Sequence, residues 1–97
     1  MQVKWLRTAL HNLEREAEHI ARDNPGAAAG LVAEAHSATQ LLAQHPEIGR
    51  AGRVPGTREL VLSCYPYVIP YRVNAQRIEI LRVFHTSRKW PSRFDPK

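Results

Sequence analysis

Cysteine is nearly absent from this chain: Cys64 stands alone among 97 residues. One thiol excludes an internal disulfide and any zinc cluster built on cysteines. Long apolar runs are missing too, so nothing approaches the roughly 20 residues of a membrane-crossing helix. The opening residues MQVKW lack the apolar stretch of a secretory signal. These absences lead us to expect a cytoplasmic protein without a membrane partner. Gly49, Gly52 and Gly56 are not spaced as a phosphate-cradling loop, and no Gly-Lys-Ser/Thr follows them. His11, His19 and His36 have no cysteine or clustered carboxylate at ligand spacing. Neither a metal nor a cofactor is therefore expected.

Acidic residues are scarce, and mainly in the second half. Residues 1–49 hold four basic and six acidic side chains, a balance of −2, whereas residues 50–97 hold ten and three, a balance of +7. A field concentrated in this way recruits anions, either nucleic acid or an acidic protein surface. Hydrophobic residues make up 43% and charged residues 24%, a composition that folds. At 97 residues there is room for one core, so the chain is read as a single domain over 1–97, with an adaptable tail from about residue 86.

Hydrophobic spacing divides the chain into elements. Val3 and Trp5 alternate with polar neighbours, as in a short first strand. Leu6, Ala9, Leu10, Leu13, Ala17, Ile20 and Ala21 then recur at three and four, predicting a helix over about 8–23 with Thr8 as its N-cap. Asn24 and Pro25 suit the cap and first position of a second helix, which should run to about residue 44 because Pro46 disfavours helical geometry before it. So short a break folds the two helices into an antiparallel hairpin. Residues 45–57 show no period and carry three glycines and two prolines, so they read as a loop. Strands follow over 58–62, from Tyr67 through Val73, and over 77–85. Pro70 argues for an edge position or a local break. The last strand carries apolar residues on both faces, which requires cover on both sides or a bulge. The sum is an α+β fold: a short N-terminal strand, then an antiparallel helical hairpin packed on a mainly antiparallel β-sheet.

The strongest chemical signal is the basic set. Arg50 and Arg53 fall in the loop, Arg58, Arg72 and Arg82 on three successive strands, and Arg88, Lys89 and Arg93 in the tail beside Trp90 and Phe94. Guanidinium forks match phosphate and carboxylate oxygens, while aromatic rings stack on bases or fill a partner's pocket. His85, ending the last strand, can move protons near neutral pH. The plainer reading pairs Arg72 and Arg82 with Glu59 and Glu79 across strands. Cys64 reads as a lone thiol in a turn; a hydrolase using it would need His85 within reach.

The order strand, helix, helix and three strands resembles the RelE/ParE superfamily of bacterial type II toxins. So do three segments: HPEIGR at 45–50, YVIPYRV at 67–73 and IEILRVFH at 78–85. The resemblance extends from residue 2 to about 90. It implies a small basic toxin that arrests growth and is neutralised by a cognate antitoxin wrapping it with an extended or helical segment.

Within the superfamily, RelE-type members cleave mRNA in the ribosomal A site, using lysines and arginines on the transition state and a tyrosine or histidine for proton transfer. Where they carry basic residues, this chain has Glu59, Val61 and Val68. ParE-type members inhibit DNA gyrase without an established catalytic set. The missing cations and the long hairpin point to the ParE-like mode, which is not enzymatic. The alternative is a ribosome-dependent mRNA endonuclease with Arg82 and His85 as catalytic residues. In either mode Arg50, Arg53, Arg58, Arg72, Arg82, Arg88, Lys89 and Trp90 are the candidate target contacts. A non-toxic nucleic-acid-binding module is a further alternative, and it implies steep salt dependence.

Overall fold

Alternating side chains at the N-terminus build an edge strand. In the computed structural model, which describes residues 1–87, 89, 90 and 94, Gln2–Trp5 form β1, with Val3 and Trp5 against the core and Gln2 and Lys4 exposed. The chain then enters helix α1 (Arg7–Ala21) at once. Leu6, not Thr8, is the N-cap residue, because strand pairing continues to Leu6, whose amide donates to the Ile80 carbonyl at 3.0 Å. Thr8 therefore lies inside the first turn. The amides of Asp23 and Asn24 both return to the Ile20 carbonyl and close the helix.

Helix α2 (Pro25–Leu41) opens as its sequence indicates: Asn24 Oδ1 accepts from the Ala27 amide at 3.0 Å, and Pro25 takes the first position. It ends at Leu41, three residues short of the expected limit. The amides of Leu42, Ala43 and Gln44 each bond three residues back, a tightened last turn that ends the α-helical ladder.

The segment read as a loop contains a short strand, β2 (Arg50–Ala51), paired with β3 (Arg58–Val61). Between them, Gly52 N donates to Thr57 O at 2.8 Å, and Gly56 takes a φ of 80° that favours glycine. Aperiodic sequence hid this pair because two residues are too few to show alternation. Then come β4 (Tyr67–Asn74), β5 (Arg77–Ile80) and β6 (Phe84–His85). The described strands form one sheet in the order β1-β5-β4-β3-β2, with β6 on β4 beyond the end of β5. Only β1 and β5 run parallel; the other pairs are antiparallel.

Pro70 lies in the central strand β4, opposite Glu59 of β3. Its carbonyl accepts from the Leu81 amide at 2.9 Å, so its missing N–H faces the interval between β5 and β6. The last strand is interrupted there at residues 81–83, so no donor is lost. The edge expectation fails and the local break holds.

Both helices lie on one face of the sheet. Ala9, Leu13, Leu31, Ala35 and Leu42 meet Leu60, Ile69, Tyr71, Ile78 and Ile80 in one buried cluster. Burying each of the larger aliphatic side chains stabilises the fold by roughly 1.5–3 kcal/mol. Leu81 and Val83 are buried too, so the last strand is both covered and interrupted.

Candidate target-binding surface

Strand alternation sends a second set of residues to the face away from the helices. Lys4, Glu79 and Arg72 lie in register across β1, β5 and β4, while Arg50, Glu59 and Pro70 do so across β2, β3 and β4. Glu59 and Glu79 are 2% and 3% exposed. Buried carboxylates are expensive unless paired and hydrogen-bonded, and each is held by two arginines.

At Glu59, Arg50 reaches Oε1 at 2.9 Å, and Arg53 Nε reaches Oε2 at 3.1 Å. The Arg53 amide also donates to Oε2 at 2.8 Å. Burial pushes the Glu59 carboxyl up, but the Arg53 amide and the two guanidiniums outweigh it and hold the group below its ordinary range. At Glu79, Arg72 Nε lies 2.7 Å from Oε1, and Arg77 Nη2 lies 2.6 Å from Oε2. The Arg72 hydrogen bond is the main reason that the Glu79 carboxyl is lowered, opposed by burial and helped by Arg77. Four guanidiniums against two carboxylates leave this face positive, and the outer edges of the arginines meet water.

The sequence candidates are therefore distributed as follows. Arg72 pairs with Glu79, as the plainer reading has it. Arg82 is not among the arginines on either carboxylate; its Nη1 donates to the Leu81 carbonyl, and its Cζ lies 5.3 Å from the Phe94 ring centroid. Arg50 and Arg53 converge on Glu59. Arg58 braces the preceding loop, with Nη1 donating to the Gly49 carbonyl at 2.9 Å. Trp90 packs edge-on to Phe84 at 5.0 Å, and the Arg53 guanidinium sits 3.9 Å above the Trp90 ring. Lys89 is exposed, and Arg88 lies outside the described residues. His85 meets Tyr67 edge-on at 5.3 Å, and its Nδ1 accepts from the Ser87 amide at 3.2 Å. Arg82 and His85 thus have different ring partners. Among the described residues, no group of His, Cys, Asp and Glu is arranged to hold a metal ion.

Sequence reasoning missed three features. Glu59 is the centre of the arginine cluster rather than a flaw in it. Tyr71 Oη donates to the Pro46 carbonyl at 2.8 Å and accepts from the Gly49 amide at 2.9 Å, anchoring the loop to the core. Tyr67 Oη donates to Glu16 of α1 at 2.9 Å; burial first, then this carboxylate, push the phenol up to about 12. Tyr67 and Tyr71 fall within the strand read from Tyr67 through Val73, but their hydroxyl partners lie on distant elements. On the outer side of the hairpin, Leu10, Leu13, Ala17, Ala28 and Val32 line a groove of about 540 Å³ bordered by Glu14 and Glu18. Leu10 and Val32 are exposed there.

A helical hairpin on one face of a mixed, mostly antiparallel sheet with an N-terminal strand is the fold of RelE/ParE-type toxins. The chain belongs to the ParE toxin family of type II toxin-antitoxin systems, parDE, whose model matches residues 3–90. Two relatives cover nearly the whole chain. The Y4kP protein of Sinorhizobium fredii, named provisionally as a toxin, is 43% identical over 90 residues, 93% of each chain. Toxin RelE2 of Caulobacter vibrioides is 36% identical over 87 residues, 90% of this chain and 97% of its own. Among solved structures, the chromosomal ParDE toxin-antitoxin system of P. aeruginosa superposes with a TM-score of 0.80 at 31% identity, over 88% of this chain and 95% of that one. The toxin-antitoxin complex RelBE2 of Mycobacterium tuberculosis gives 0.59 at 25% identity, over 87% and 95%. The chain is thus a type II toxin, and an antitoxin is its expected partner.

Proposed function

We propose that this toxin acts in the cytoplasm by inhibiting DNA gyrase, without catalysis of its own, and that a cognate antitoxin neutralises it. The observation that carries the reading is the state of Glu59. A ribonuclease needs free cations around a scissile phosphate. Here β3 holds a buried carboxylate that already engages Arg50 and Arg53, and Val61 two residues on adds no charge. A phosphate placed there would compete with Glu59 for guanidiniums that are already engaged. The same arginines, half in water, suit a protein or nucleic-acid surface that needs binding alone. The acid-bordered apolar groove along the hairpin is the surface we assign to the antitoxin, through an amphipathic helix whose apolar side fills it.

Induced expression should trigger the DNA damage response with filamentation, and purified toxin should block supercoiling by gyrase. Ribosome-dependent mRNA cuts with gyrase unaffected would overturn the proposal and move the activity to the endonuclease alternative, with His85 and Arg82 as the residues to test.

A further inference from the structure

At its β1 edge the far face of the sheet runs into a cleft of about 880 Å³. β1, the start of α1, β4 and β5 all contribute to its walls. Lys4, Arg7, Arg72 and Arg77 are its cations and Glu79 its carboxylate; Trp5 and Leu10 supply apolar surface. The volume falls in the range of small-molecule sites, about 300–1,000 Å³.

Charge here is out of balance. Glu79 accepts from Arg72 on Oε1 and from Arg77 on Oε2. Lys4 stands directly beside Glu79 in the β1–β5 register. Neither Lys4 nor Arg7 forms an ion pair with a described residue. Four cations and one carboxylate leave three uncompensated positive charges around one cavity. Helix α1 adds to the same sign. It begins there without a side-chain cap and without an acidic residue in its first turn, so nothing negative offsets its first amides.

We propose that this cleft binds a nucleoside phosphate. The phosphate oxygens would be held by Lys4, Arg7 and the outward edges of Arg72 and Arg77, with the base against Trp5 and Leu10. The nucleotide comes either free or as one unit of a nucleic-acid strand. The inference does not rest on the gyrase proposal, because its test reads binding rather than arrest.

The test titrates the purified full chain by calorimetry with ATP and, separately, with a 12-nucleotide oligothymidylate. Wild-type protein should bind at least one probe. Lys4→Ala with Arg7→Ala should weaken that binding about ten- to a hundredfold, the loss expected for two charge-assisted hydrogen bonds in water-exposed positions. Both side chains are exposed, so the melting temperature should hold, which separates lost binding from lost fold. Arg15→Ala with Arg22→Ala removes the same charge elsewhere and should keep affinity within about twofold. ATP competing with the oligonucleotide identifies a site for a free nucleotide. Oligonucleotide binding alone, with a log–log salt slope of about −0.7 per phosphate, identifies the strand. The proposal is overturned if neither probe binds at millimolar concentration, or if the control pair weakens binding as much as the Lys4/Arg7 pair.

Discussion

Replacing Glu59 by glutamine tests whether the arginine cluster is a structural lock. The change keeps the volume but removes the charge and one acceptor oxygen. Four donors from Arg50 and Arg53 would then face one carbonyl oxygen and one amide that is itself a donor. Each lost charge-assisted bond is worth roughly 1.5–3 kcal/mol. The two arginine side chains are 56% and 46% exposed, so water recovers much of their share. We expect a net destabilisation of about 2 kcal/mol, or a melting temperature about 8–16 °C lower for a domain of this size. The sign with pH follows from the lowered carboxyl. Its contribution is complete above the unfolded-state value near ~4.3 and is lost as pH falls through the folded-state value. Thermal melts followed by circular dichroism should therefore show a wide gap between wild type and Glu59→Gln at pH 7 that closes in acid. A gap below ~2 °C at pH 7, or one that persists unchanged in acid, would refute the argument.

Gly49→Ala should be more damaging than its small size suggests. The new Cβ would sit 2.6 Å from the Tyr71 ring and 2.9 Å from the Glu59 carbonyl, so denaturant titration should register a loss of about 2–3 kcal/mol. Ala75→Gly should raise stability by up to about 1 kcal/mol, since Ala75 holds a φ of 56° in the turn between β4 and β5. Tyr67→Phe should flatten the alkaline limb of the stability curve. The wild-type phenol favours the fold below its unfolded value near ~10, and that contribution disappears as pH rises through about 12, which melts from pH 9 upward would detect. Val32→Asp adds a charge to the exposed hairpin groove; it should leave the melt within about 0.5 kcal/mol yet weaken antitoxin binding at least ~tenfold in a pull-down titration.

The elements with many turns of pattern were legible in the sequence. The stripe from Leu6 to Ala21 revealed the first helix, and Asn24-Pro25 marked the start of the second. Errors gathered where tertiary contacts override local preference. Thr8 has the chemistry of a cap, but pairing of Leu6 with Ile80, far along the chain, set the start of α1. β2 is visible only beside β3. Pro70 fits the central strand because the neighbouring strand is interrupted opposite it, a coincidence of two distant segments. The candidate site was half legible. Arg72–Glu79 follows from cross-strand chemistry, but the convergence of Arg50 and Arg53 on Glu59 depends on a turn whose path no period encodes. The cluster of Lys4 and Arg7 with Arg72 and Arg77 could not be read either, because parallel pairing of the first strand with the fifth is decided by the whole fold.

That parallel pairing fixes the order in which a newly made chain can become a toxin. Gln2 lies opposite Arg77 and Trp5 opposite Ile80, so the first strand to be synthesised waits for almost the last. The helical hairpin is local and can form early, but its apolar side has no sheet to cover until β3, β4 and β5 have left the ribosome. An unfinished chain carries a groove-bearing hairpin but not a complete arginine face: Arg72 and Arg77 are among the later residues, and they have no cleft to line until β1 closes on β5. During synthesis, the surface we assign to the antitoxin is thus available before the surface we assign to the target.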